Sequence, residues 1–564
     1  MKRLFIRLSA IMLIASVMLG LSCKGENDVL SVSPSLRNIV FSADGTLSVA
    51  GSSDVLQFLV FTVETNRQWQ VTANKTWVQA LKTEGNVFTL SANPNDSVSP
   101  PEDAEVTVTA GNATPVKITV SQLGVDPLVV TPYNMVANIR SDPRTTMAFN
   151  WFTDRPATGK VEIVEGKVTE HAAFATPHKT VNATVNDISV RYNSSENRSY
   201  NVYKALVEGL TPGTTYSYRV GGYENVWSEI GLFTTAKNDK SDFTFLYTTD
   251  PQSTSVANFQ LAAKTAQVAY TRFPDMKFWM NCGDLVDQSS GISAWEWEQF
   301  FGSQQDIFYK LPFAPVMGNH DAVMPNSFIY YFNTEPTVLA GTSPAKPGSV
   351  YSFVYGDVLF LALNFEDYNV SNYLTSIANW MRAEVNKPEH ASIRWRVAFF
   401  HKAIYTGGSH QGDGDAQTVR NAMAPVFDEL GIDIAIQGHD HIYEVIGPVY
   451  NKELVAGAVA DVISTTVSYP VNANGKSGGI YNTENGTLYF LNSASGAKRY
   501  NPNNPINTGY GVPEYPGLFT GCLGQPGNPT YSNVSVTHDT IFIKTYQVTA
   551  ASESIYDEIK MWKP

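Results

Sequence analysis

Between residues 243 and 441 a short apolar run stops at a small polar cluster five times. Residues 243–247 lead to Asp250-Pro251-Gln252, residues 278–280 to Gly283-Asp284-Leu285-Val286-Asp287, and residues 313–317 to Gly318-Asn319-His320-Asp321. Residues 397–400 lead to His401, and residues 432–436 to Gly438-His439-Asp440-His441. Such runs read as buried strands. Helical patterns separate them: Val256, Phe259, Ala263, Ala266 and Tyr270 share one face, as do Leu374, Ile377, Met381 and Val385. Strand and helix in alternation mean a layered α/β architecture, in which the carboxyl ends of strands line one ligand crevice. All five clusters can then meet at one place.

The side chains they carry are carboxylates, imidazoles and amides, with no thiolate. That set suits hard or borderline cations, Mn, Fe or Zn, and not a closed structural zinc site. A carboxylate such as Asp284 can bridge two ions, which two-metal chemistry needs at a spacing of ~3.5–4 Å. The glycine before several of these residues predicts a tight turn after the strand. His439 and His441, two apart, are expected on one side of an extended segment, each facing a different ion. Taken singly, His401 reads as a hydrogen-bonded core histidine and Asp287 as a carboxylate at a helix N-terminus. Five clusters in one direction, each after a strand, point instead to a shared metal site.

The 564 residues exceed what a single core organises, so the chain is multidomain. Residues 29–124 read all-β, with Val106/Val108 and Val116/Ile118/Val120 alternating on either side of Gly111-Asn112. Residues 125–237 form a second β region, with Val161/Ile163, Tyr216/Tyr218/Val220 and the loop 210–215 as its markers. The α/β texture begins at 238, and the alternation of Val534/Val536 and Ile541/Ile543 supplies last strands to the same domain, 238–564. The expected fold is thus two N-terminal all-β sandwiches followed by an α/β domain with a central β-sandwich flanked by helices.

At the N-terminus Lys2, Arg3 and Arg7 precede an apolar run from 8 to 21, shorter than the ~20 residues that span a bilayer. This reads as a secretory signal. Its end, Gly20-Leu21-Ser22-Cys23, resembles a loose lipobox, which makes Cys23 the lipidated first residue of an exported bacterial lipoprotein. Such a protein faces the outer membrane, cell surface or periplasm and meets the membrane through its lipid anchor only; the alternative is ordinary cleavage near Ser22. Cys282 and Cys522, far apart, imply no disulfide framework. A net charge of −13, with no Lys/Arg-rich run in the body, excludes a nucleic-acid scaffold partner.

The five clusters together resemble the signature of the calcineurin-like metallophosphoesterases and purple acid phosphatases, covering residues 242–498. The resemblance implies a dinuclear centre of divalent or trivalent ions. Asp250, Asp284 and His441 match the ligands of one ion, and Asp284, Asn319, His401 and His439 those of the other. Gln252 stands where the family has a histidine ligand or its equivalent, and Asp287 where purple acid phosphatases have a tyrosine ligand. His320 matches the residue that touches the phosphoryl oxygens or protonates the leaving group, and Asp321 the acid that orients it. His410 resembles a substrate-facing histidine, or is an exposed loop residue. Residues 29–124 resemble a BACON module, which implies carbohydrate contact or a spacer. Residues 125–237 resemble a fibronectin type III-like domain of the kind that precedes purple acid phosphatase catalytic domains. The implied function is hydrolysis of a phosphorylated small molecule or glycan by in-line attack of a metal-held hydroxide. The competing reading is a surface glycan-binding lipoprotein with a degraded phosphatase scaffold.

Overall fold

Alternation of apolar and polar side chains builds the first of two compact units, which ends at Val129. The computed structural model describes residues 28–48, 55–97, 99–125, 130–288, 294–323, 327–339, 347–460, 478–502, 516–550 and 552–564. The signal segment and Cys23 lie outside these residues. Strands Ala104–Ala110 and Val116–Gln122 pair antiparallel, so that Val106, Val108, Ile118 and Val120 share one buried face. Two four-stranded sheets close over this face, with Phe41, Phe61, Trp69 and Phe88 filling the space between them.

The second unit runs from Val130 to Pro564. Its first hundred residues make a sandwich of two four-stranded layers. One of these layers does not end at the sandwich. Strand Tyr133–Asn138 pairs in parallel with Phe313–Pro315, so the layer continues into a twelve-stranded sheet that includes Trp279–Asn281 and Phe243–Thr248. Two buried amides stitch the seam: Asn138 Nδ2 donates to the Phe313 carbonyl (3.0 Å), and Asn333 Nδ2 donates to those of Phe149 and Ala205 (3.0 Å each). The reason lies in strand Met147–Thr153, buried at every position. Phe149 and Trp151 face the sandwich core, while Phe152 faces the other way into a core shared with Phe259, Trp297 and Phe301 of the helices. A strand buried on both faces reads as a continuous apolar run, not as an alternation.

The α/β part packs this sheet against a second one in the order Tyr351–Tyr355, Val358–Ala362, Trp395–Phe399, Ile434–Ile436, Thr487–Asn492, Tyr443–Tyr450. Side chains from both inner faces meet in a layer rich in Phe and Tyr. Helices Val256–Arg272 and Ala294–Phe308 cover the first sheet, and Tyr373–Val385 and Gly414–Leu430 cover the second. Val256–Arg272 forms because Phe259, Ala262, Ala266 and Ala269 recur at helical spacing, and Ser255 Oγ caps it by accepting from Asn258 N–H. Strands Thr530–Val536, Thr540–Val548 and Glu553–Trp562 extend the first sheet beside Phe243–Thr248. Cys282 and Cys522 are free and buried. Among the described residues no helix is long and apolar enough to cross a membrane.

Phe278 lies in the middle of the inter-sheet layer, stacked on Phe245 at 4.8 Å and edge-on to Phe353 and Phe360 at 5.6 and 5.5 Å. Phe278→Ala is therefore expected to destabilise the second unit by about 3–5 kcal/mol, read as a lower urea midpoint for its unfolding.

Candidate metal centre

Five parallel strands end at the same edge of the two facing sheets, and each delivers its cluster there. Phe243–Thr248, Trp279–Asn281 and Phe313–Pro315 are neighbours in the first sheet, and Trp395–Phe399 and Ile434–Ile436 are neighbours in the second. The turns that follow are not relaxed. Asp250, Asp284 and His439 all adopt left-handed backbone, with φ of 53°, 51° and 78°, a conformation that costs a non-glycine residue on the order of 1 kcal/mol or more. Cross-links between the turns hold them: Asp250 N–H donates to the Gly283 carbonyl (3.1 Å), Gln252 N–H to that of Asp284 (3.0 Å), and Gly438 N–H to that of His401 (2.9 Å). The glycines do more than turn. Gly283 does take a φ of +88°, but Gly318 matters because a Cβ there would sit 2.2 Å from both the backbone N and Oδ1 of Asp284.

Two donor groups result, and they share Asp284. Asp284, His401 and His439 form one; Asp250, Asp284 and His441 form the other, all of them buried. In the first, His401 Nε2 lies 3.0 Å from Asn319 Oδ1, 3.2 Å from His439 Nδ1 and 3.3 Å from Asp284 Oδ1. In the second, His441 Nε2 lies 3.1 Å from Asp250 Oδ1 and 3.4 Å from Gln252 Nε2, which is itself 2.9 Å from Asp284 Oδ2. Donors bound to a common ion at ~2.0–2.2 Å stand roughly 2.8–3.6 Å apart, between the octahedral and tetrahedral limits. Every one of these separations falls in that interval. His439 and His441 do go to different groups, but through the left-handed turn at His439 and not from an extended segment.

Hydrogen bonds fix which atoms face inward. His401 Nδ1 donates to the Cys282 carbonyl (2.8 Å), which turns Nε2 toward the donors. Burial opposes charge on His401, yet Asp284, Asp250 and Glu366 outweigh it and hold its pKa up at about 10. Burial, and then the charge on His401, push His439 far down. A cation bound at these facing nitrogens would compete with protonation of His401. Gln252 lies within the second group. Its buried Oε1 has no hydrogen-bond partner, and exchanging the two ends of the amide would turn that acceptor toward Asp284 and His441.

Around the donors the structure assigns some tasks differently from the sequence. Asp321, expected to orient His320, instead accepts from the backbone N–H groups of Leu285 (2.9 Å), Val286 (3.2 Å) and Gly318 (2.9 Å), stapling two ligand turns together. Asp287 orients His320: its carbonyl accepts from Nδ1 at 2.5 Å and its Oδ1 lies 3.6 Å away. The Asp287 carboxylate is turned to Lys498 (2.7 Å). His410 stands at the mouth, its ring 4.1 Å from that of His439 and its Nδ1 2.7 Å from Asp413. Sequence reasoning missed several supports. Asp440 accepts from Thr406 Oγ1 (2.8 Å), Ser409 Oγ (3.2 Å) and His410 N–H (3.2 Å), so it shapes the loop carrying His410. Gln437 anchors the segment after His401 through the backbone of Ile404 and Tyr405. Tyr500 stacks flat on His441 at 4.4 Å. Asp440 lay inside a motif already singled out, whereas nothing in the sequence marked the other two.

Residues 243–443 match the sequence model of the calcineurin-like phosphoesterases, and residues 132–235 that of the purple acid phosphatase N-terminal domain. Both matches lie within the second unit. Purple acid phosphatase 21 of Arabidopsis thaliana is 24% identical over 276 residues, which cover 46% of this chain and 56% of that protein. Acid phosphatase type 7 of Danio rerio is 22% identical over 346 residues, 56% of this chain and 71% of that one. An uncharacterized protein of Mycobacterium tuberculosis is 24% identical over 279 residues. The chain spans about half the length of several curated relatives it matches. A purple acid phosphatase from yellow lupin (Lupinus luteus) seeds shares the fold, with a TM-score of 0.60 at 13% identity over 95% of this chain and 96% of the lupin chain.

Because the three atoms nearest a Cβ at Gly318 all belong to Asp284, Gly318→Ala is expected to displace the shared carboxylate. Bound metal per chain, measured by elemental analysis after reconstitution, should fall for both ions together.

Proposed function

We propose that the chain hydrolyses phosphate esters at a dinuclear metal centre. The observation that carries this reading is the meeting of two buried donor groups on one carboxylate, Asp284. Asp250, Asp284 and His441, with Gln252 beside them, would hold one ion. Asp284, Asn319, His401 and His439 would hold the other. The nitrogen and oxygen donors fit Mn, Fe or Zn. Two bound ions would supply Lewis acidity toward a phosphoryl oxygen and lower the pKa of an attacking water.

The protein's own groups do the rest. Strand ends fix the donors before substrate arrives, so little reorganisation remains for the reaction. His320 is held by Asp287 at Nδ1, which leaves Nε2 on the Asp284 side, 3.9 Å from Oδ2, with a quarter of the side chain exposed. From there Nε2 can donate to a phosphoryl oxygen or hand a proton to the departing alkoxide. His410, braced by Asp413, borders the same mouth. Uncatalysed hydrolysis of a monoester is among the slowest reactions known, so stabilising the developing charge is the main task of such a site.

Asp284→Asn removes a charge that both ions share. Activity on p-nitrophenyl phosphate and metal content should fall together, activity on the order of a hundredfold or more. Retention of both metals with near wild-type turnover would remove Asp284 from the centre.

We further propose that the chain is an exported lipoprotein anchored at Cys23, with the 30–122 sandwich separating anchor from catalytic body in sequence. Cys23→Ala should leave turnover unchanged and move the protein from the membrane fraction to the soluble fraction on cell fractionation. Firm membrane association of the variant would point to a different anchor.

A further inference from the structure

One edge of the metal centre is closed by residues 493–500, Ser-Ala-Ser-Gly-Ala-Lys-Arg-Tyr, which follow strand Thr487–Asn492. This segment is tied to the backbone that carries the ligands. Ser493 Oγ donates to the His441 carbonyl (3.0 Å), and Ser495 donates to the Thr249 carbonyl from both N–H (2.8 Å) and Oγ (2.9 Å). Gly496 passes the Asp250 and Pro251 carbonyls so closely that a Cβ would lie 3.0 Å from each. Arg499 folds back to donate to the carbonyls of Gly496 (2.8 Å) and Lys498 (2.5 Å), and Tyr500 covers His441. The backbone on both sides of Lys498 is therefore pinned.

Lys498 itself is not. About a third of its side chain is exposed, and its Nζ meets Asp287 Oδ2 at 2.7 Å, on the carboxylate whose other oxygen lies 3.6 Å from the His320 ring. An ammonium has three N–H donors, so Nζ can pair with the buried Asp287 carboxylate through one and still offer others on its exposed side. Nζ can thus donate to an arriving oxygen while it stays beside Asp287. A second lysine near the ligands, Lys402, is buried and committed to Asp415 (2.6 Å) and Glu366 (3.3 Å). On a chain of net charge −13, a cation placed here offsets a surface that repels anions, and the offset grows with the charge of the ligand.

We propose that Lys498 is a specificity-determining residue of this site, contacting the phosphoryl group and selecting dianionic phosphate monoesters over monoanionic diesters. The proposal rests on the phosphoester-hydrolase reading above. A purely positioning role, in which Lys498 only steadies Asp287 and His320, predicts a loss of kcat shared equally by both ester classes. A recognition role changes their ratio.

The test uses the metal-loaded full chain with p-nitrophenyl phosphate, bis(p-nitrophenyl) phosphate, and inorganic phosphate as competitive inhibitor. For Lys498→Gln the monoester-to-diester ratio of kcat/KM should fall about tenfold, mainly through a higher monoester KM, as for loss of one hydrogen bond to a charged group. The inhibition constant for phosphate should rise by a similar factor. Lys498→Arg, which keeps the charge, should hold the ratio within about threefold of wild type. Equal losses on both esters, or unchanged phosphate inhibition, would overturn the assignment of Lys498 while leaving the hydrolase reading intact. Wild-type protein that binds two metals and turns over neither ester overturns the hydrolase reading, and this proposal with it.

Discussion

Asp284 has to present one oxygen to each of two donor groups while fully enclosed by protein, and much of the architecture answers to that requirement. Its Oδ1 faces His401 and accepts from the His320 backbone at 2.9 Å, while Oδ2 faces Gln252. Only a left-handed turn straight after the strand aims the carboxylate in this way, and only a residue without a side chain at 318 leaves room for it. Asp321 then locks the turn by gathering backbone donors from both neighbouring loops. The sheets follow the same constraint. Each donor group takes residues from both of them, Asp250 with His441, and Asp284 and Asn319 with His401 and His439, so the facing strand ends must stay in register across the aromatic layer.

The arrangement concentrates charge where water is scarce. Asp250, Asp284, Asp321 and Asp440 are all buried within one small region. Buried carboxylates are expensive unless paired or hydrogen-bonded. Backbone N–H groups support Asp321, and one N–H and two hydroxyls support Asp440. Asp250 accepts from His439 N–H and Thr249 Oγ1, and Asp284 from His320 N–H and the Gln252 amide, but both also face imidazoles that would themselves be ligands. Two cations would satisfy that set more completely than the protein alone does. The strained turns at Asp250, Asp284 and His439 fit the same picture, since strain of this kind persists where the surroundings over-determine a functional geometry.

The donors were legible because two independent periodicities agree on them. Apolar runs of strand length end where Asp250, Asp284, Asn319, His401 and His439 begin, and the intervening helices force those ends to one side. The supports were not legible, for a physical reason. Asp287 stands inside the second cluster, but it orients His320 through its carbonyl, a group every residue owns, so the side-chain pattern marks the residue without marking that role. Lys498 and Tyr500 reach the centre from a loop some sixty residues past His439, attached through serine hydroxyls and a glycine whose role is only to be small. Strand Met147–Thr153 hid the continuity of the large sheet, because burial on both faces erases the alternation that would have exposed its register. Gln252 is a departure from the family pattern at a ligand position, and the structure leaves it there, with its orphaned oxygen one amide exchange away from the donors.

The most direct test of this account is a crystal structure of the metal-reconstituted chain with anomalous scattering at the metal edges. The account predicts two peaks at ~3.5–4 Å separation, bridged by Asp284, one beside Asp250 and His441 and the other beside Asn319, His401 and His439. A single peak, or two that do not share Asp284, would contradict it.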